Sequence, residues 1–62
     1  MEVLRRWRQS EHLTMLQAAY RLDVSLTTYS AWESGRHRMS RKNLTRASAE
    51  TGIDIETLRS AS

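Results

Sequence analysis

The apolar positions of the chain fall into five short groups at helical spacing, each closed by polar residues or glycine. Val3, Leu4 and Trp7 are separated by three and four positions, the spacing of one helix face, and the pattern fades at Ser10 and Glu11. A first helix is expected from about Glu2 to Gln9, with Leu13 anchoring the connection inward. Thr14-Met15-Leu16-Gln17 has the form of a capping box: a hydroxyl that accepts from the third helical amide and a glutamine that reaches back. The second helix, about 15–22, carries Ala18, Ala19 and Leu22 inward. Asp23 ends it, Val24 plugs the core and Ser25 caps a third helix, Leu26 to Ser34. Tyr29 and Trp32 face the core on that helix, while Leu26, Thr27, Thr28, Ser30 and Ala31 lie at its start or on the other face. Two short helices joined by about three residues cannot lie side by side. They must cross steeply, which is helix-turn-helix geometry, here from about Thr14 to Glu33.

Gly35 stops the third helix and opens a loop through Met39. Ser40 caps a fourth helix of about Arg41 to Thr51, with Leu44, Ala47 and Ser48 inward, and Gly52 suits its left-handed C-terminal position. Ile53, Asp54 as a cap, Ile55 and Leu58 predict a last short helix to about Arg59, followed by a frayed tail from Ser60 to Ser62. The expected fold class is all-α: a compact four- to five-helix bundle, one domain over 1–62.

At 62 residues the core must be small, because a chain of about this size buries only about 60% of its unfolded surface. No cysteine is present, so the core has to close by apolar packing alone. No run approaches the roughly 18 apolar residues of a membrane span, and Met1-Glu2-Val3-Leu4-Arg5-Arg6 lacks the order of a signal peptide, so a cytoplasmic protein with no membrane partner is expected. His12 and His37 lie in separate polar segments with no spaced carboxylate, and there is no glycine-rich phosphate loop. An enzyme, a metal site, a cofactor or a small-molecule ligand is therefore not expected. Trp7 and Trp32 sit on core-facing stripes, so they are read as core rather than as platforms for stacking bases.

Net charge is +3 and the sequence pI is near 10.2, but distribution matters more than the total. From Ser34 to Ala49 there is no acid, while Arg36, Arg38, Arg41, Lys42 and Arg46 all fall there. This is a candidate phosphate-binding surface; the alternative is a solvated face that keeps the protein soluble.

Leu13-Thr14, Ala18-Ala19, Leu22, Val24-Ser25, Tyr29-Ser30, Trp32-Glu33 and Ser34-Gly35 together resemble the lambda repressor/Cro-like helix-turn-helix family, and Gly52-Ile53-Asp54-Ile55-Glu56-Thr57-Leu58 resembles its closing segment. The resemblance implies a DNA-binding regulator. It places Leu26, Thr27, Ser30 and Ala31 where the family's recognition helix faces base edges, and Arg36, His37, Arg38 and Arg41 on the loop side that grips phosphate. Thr14, Met15, Thr28 and Ser34 complete the candidate contact set. Arg8 and Glu33 occupy positions that pair, partly buried, in some members, which implies a tie between the first helix and the end of the recognition helix; two unrelated surface charges are the alternative.

The chain also departs from the family pattern. Met15 stands where many relatives place a glutamine that anchors to phosphate, Asp23 replaces the usual turn glycine, Leu16 takes a polar slot, Met39 sits where proline is common, and Thr51 replaces an apolar residue. Met15, Leu16 and Tyr20 either expose an apolar patch or pack on Trp7, and packing is expected. The recognition face lacks Gln, Asn, Arg and Lys, so base readout should lean on apolar contact, water and DNA shape. The partner implied is double-stranded DNA, bound by a homodimer on a pseudo-palindromic site with half-sites about 34 Å apart. A Cro-type or small phage or plasmid repressor fits best. A protein-binding module or an antitoxin retaining the fold is the alternative.

Overall fold

The computed structural model describes residues 1–61 and consists, over those residues, of five helices and no strand: α1 (Glu2–Ser10), α2 (Met15–Arg21), α3 (Leu26–Ser34), α4 (Arg41–Thr51) and α5 (Ile55–Ala61). The hydroxyl caps expected from the sequence are in place. Thr14 Oγ1 accepts from the Gln17 amide at 3.1 Å while Gln17 Oε1 accepts from the Thr14 amide at 2.8 Å, closing the capping box of α2. Ser25 and Ser40 accept from the amides of Thr28 and Asn43 at 3.1 and 3.2 Å and start α3 and α4. Each satisfies one amide that the helix leaves without a partner.

Three helices end in one manner. At His12, Asp23 and Gly35 the chain turns left-handed, with φ of 57, 58 and 82°. In each case the residue's own amide bonds three residues back and the next amide bonds five residues back, as in Leu13 to Arg8, Val24 to Ala19 and Arg36 to Ala31, all at 3.0 Å. This is the Schellman ending, which occupies carbonyls that would otherwise be orphaned. Asp23 tolerates the conformation in place of glycine, as expected; His12 does so too, at a position where the sequence carries no glycine to mark it. Gly52 ends α4 with φ of 78°.

Leu4, Ala18, Ala19, Leu22, Tyr29, Trp32, Leu44, Ala47 and Leu58 form the core, with Val3, Trp7, Leu13, Val24, Ile53 and Ile55 packed at its edge. Helix α2 packs on α3, α4 on α5, and α1 bridges α3 and α5. Ser48 is half-buried, and its hydroxyl donates to the Ile53 carbonyl at 2.6 Å. Thr51, polar where the family is apolar, donates to the Ala47 carbonyl at 2.7 Å and accepts from the Ile53 amide, so its hydroxyl is consumed by the turn.

Two expectations are corrected here, and one is extended. Leu16 and Tyr20 do not pack as expected: they are 63% and 87% exposed, because they lie off the face of α2 that Ala18, Ala19 and Leu22 turn to the core, while Met15, at the first position of the helix on that face, is 37% exposed. Trp7 instead meets the Arg21 guanidinium, 6.0 Å from its ring centre. Met39 lies in the loop, as expected, and its flexible side chain is buried in the core beneath the turn into α4. The tail is not frayed at Ser60 and Ala61, which complete α5; Ser62 lies outside the described residues.

Candidate nucleic-acid interface

Helix α3 has an inner side that fastens it and an outer side that is open. On the inner side Glu33 is only 5% exposed and accepts from Arg8 Nε at 2.6 Å, Arg8 Nη2 at 3.2 Å and the Tyr29 hydroxyl at 2.6 Å. Arg8 also donates to the Leu13 carbonyl at 3.1 Å, and Arg5 stands 3.7 Å from the same carboxylate. Arg8 therefore does tie α1 to the end of α3. The Met1 nitrogen adds bonds to the carbonyls of Trp32 and Glu33, at the electronegative end of the helix. Burial pushes the Glu33 carboxyl up, but the hydrogen bonds from Arg8 and Tyr29 outweigh it and hold the group below its ordinary range. Burial, then the bond to that carboxylate, raises the Tyr29 phenol well above its ordinary value.

On the outer side Leu26 and Thr27 are exposed, and Thr28 and Ser30 are half-buried. The Thr28 hydroxyl accepts from Ser25 at 3.0 Å. Ala31, expected on this surface, is buried at 4% exposure: the amides of Arg36 and His37 fold back onto its carbonyl, at 3.0 and 3.4 Å, and the loop covers it. It forms the floor of a recess of about 370 Å³ between α3, the loop and the first turn of α4. Thr27, Thr28, Arg36, His37 and Arg38 meet at that recess. Thr14, Met15, Leu26, Ser30, Ser34 and Arg41 lie outside it. The Thr14 hydroxyl is already committed to its cap, and the Ser34 hydroxyl donates to the Ala31 carbonyl at 3.2 Å. Ser40 and Asn43 also line the recess, although neither is among the residues expected there from sequence. Their proximity to α3 follows from the fold of the loop, which no local pattern announces.

Charge separates the molecule sharply. Among the described residues Arg5, Arg6, Arg8, Arg21, Arg46 and Arg59 each lie within 4.0 Å of a carboxylate. Arg36, Arg38, Arg41 and Lys42 have no such partner among the described residues, and all four are exposed. Arg46, counted in the basic stretch by sequence, belongs to the paired group through Asp23 at 3.5 Å. Among the described residues no group of histidine, aspartate and glutamate side chains is placed to hold a metal ion, and no helix is long and apolar enough to cross a membrane.

Two short helices crossing at a tight turn, the second presenting an open outer side beside unpaired cations, define a helix-turn-helix domain. Residues 4–58 match the helix-turn-helix family model, and the chain belongs to the lambda repressor/Cro-like helix-turn-helix family. It is a DNA-binding regulatory domain of that kind, not a catalyst. No curated protein and no solved structure gives a significant match to it.

Proposed function

We propose that the chain acts as one sequence-specific, double-stranded-DNA-binding unit, a Cro-like or small phage or plasmid repressor that binds a pseudo-palindromic operator as a dimer in the cytoplasm. The observation that carries this reading is the segregation of charge: among the described residues the cations left without an acid are Arg36 and Arg38, which line the recess beside α3, and Arg41 and Lys42 at the start of α4. Cations held away from carboxylates are available to phosphate, and each phosphate neutralised contributes about −0.9 to the slope of log K against log salt. In this reading α3 enters the major groove, Leu26, Thr27, Thr28 and Ser30 meet base edges, and Arg36, His37, Arg38 and Arg41 hold the backbone on one side. Thr14, Met15 and Ser34 border the same surface. Ala31 serves as the floor of the recess rather than as a contact.

Selection from a pool of random duplex DNA at two salt concentrations, with sequencing of the retained fraction, tests this. Enrichment of a symmetric site that weakens steeply with salt is the expected outcome. Retention without enrichment would make the protein a non-specific binder. A second reading, a helix-turn-helix module that binds protein, is favoured by the outward Met15, Leu16 and Tyr20, and absence of retention at low salt would support it.

A further inference from the structure

The outer side of α3 carries no side chain able to make two hydrogen bonds to one base edge. Paired contacts of that kind need Asn or Gln for adenine and Arg or Lys for guanine. The chain has two glutamines and one asparagine. Gln17 is held in the capping box of α2, and Gln9 lies near the end of α1 away from the recess. Asn43 is different: it stands in the first turn of α4, half-buried, on the wall of the recess that Thr27 and Thr28 also line.

Its backbone amide is fixed by the Ser40 hydroxyl at 3.2 Å, which sets the first turn of the helix and the direction in which residue 43 leaves it. Among the described residues its carboxamide has no hydrogen-bond partner, although no polar side-chain atom there is sealed from solvent without one. The α3 residues that line the same recess are Thr27, Thr28, Ala31 and Trp32, and none of them makes a side-chain hydrogen bond to Asn43. An amide with one acceptor and two donor hydrogens thus faces a groove walled by Arg36 and Arg38, with its hydrogen bonds unmade.

We propose that Asn43 reads an adenine in the major groove, donating from Nδ2 to N7 and accepting at Oδ1 from N6. The specificity of the protein is then shared between α3 and the first turn of α4. This rests on the DNA-binding reading above.

The test selects from random duplex DNA with the native protein, Asn43→Ala and Asn43→Asp under one salt condition. The native protein should require adenine at one position in each half-site. Asn43→Ala should lose that preference alone, with affinity for the native site lowered about 5- to 150-fold and the other positions unchanged. Asn43→Asp should move the preference at that position to cytosine, because a carboxylate only accepts and cytosine N4 donates. Both replacements suit the first turn of a helix, and circular dichroism melting checks that they fold. A motif that stays the same in Asn43→Ala, or a loss of affinity equal for every sequence, overturns the proposal while leaving the regulator reading intact. Retention of the native protein without any enriched sequence overturns both.

Discussion

The two sides of α3 use the same residue type for opposite ends. On the inner side Arg8 is locked to Glu33 by two bonds, with Tyr29 completing the carboxylate's shell and the Leu13 carbonyl taking a further donor. Arg36 and Arg38 beside the outer side, and Arg41 at the start of α4, are exposed with no acid within 4.0 Å among the described residues. A guanidinium is always charged, so what separates the two sets is not ionisation but whether the fold has already supplied an anion. The inner pair spends its hydrogen bonds on holding α3 against α1. The outer set keeps its own for a phosphate that arrives later. One helix can therefore be rigid enough to dock while its far side stays chemically unsatisfied.

The largest test of this contrast is Arg8→Ala. It leaves the Glu33 carboxylate, 5% exposed, with Tyr29 as its main partner, and breaking a buried pair from one side costs about 3 kcal/mol or more. Total stability for a chain of this length is about 3 to 9 kcal/mol, so urea denaturation should find the variant severely weakened. The pH profile gives the same network a signature. Glu33 has a folded pKa below its ordinary 4.5, so its contribution is complete above about that pH and is lost as pH falls through the folded value. Tyr29 has a folded pKa above its ordinary 10.0, so its contribution is complete below that pH and is lost as pH rises through the folded value. Native stability should fall on both sides of a plateau, and Tyr29→Phe should remove the alkaline fall. Stability that does not change through the acid range would show that Glu33 is not held as described.

Much of the inner side is legible in the sequence, and much of the outer side is not. Caps are local: Thr14 with Gln17, Ser25 and Ser40 need only a few neighbouring residues to be recognised, and all three do what their spacing predicts. The Arg8–Glu33 tie spans 25 positions and is implied only by the family resemblance, since no pattern of neighbours connects the two. Ala31 defies its sequence expectation because its burial depends on the path of the loop after Gly35, and periodicity within a helix says nothing about a loop that folds back over it. Asn43 escapes a sequence-based reading for the same reason. Leu16 and Tyr20 illustrate the reverse limit: their apolar character suggests packing, but their place on α2 is set by Ala18 and Ala19, which claim the inner face.

The outer side is tested by removing its cations singly. Arg36→Ala, Arg38→Ala and Arg41→Ala each delete an exposed side chain with no acid partner, so stability should stay within about 0.5 kcal/mol of native. Each that meets phosphate should instead flatten the dependence of log K on log salt by about 0.9. Titration of one duplex at several salt concentrations measures this. A variant that loses stability but keeps its salt slope would belong with Arg8, and the division between the two sides would fail at that residue.

Arg46→Ala has the smallest expected effect and cuts the comparison most finely. By sequence Arg46 belongs to the acid-free basic stretch, whereas in space it faces Asp23 at 3.5 Å, across the turn between α2 and α3. Asp23 is 87% exposed and Arg46 is 40% exposed in its side chain, so the pair is worth no more than about 1 kcal/mol. If partnership with an acid decides the role of an arginine, this variant should lose that small amount of stability and leave the salt slope unchanged. A slope lowered as much as in Arg41→Ala would mean that DNA draws Arg46 away from Asp23. Position on the surface, and not the pairing seen in the free protein, would then determine which cations meet phosphate.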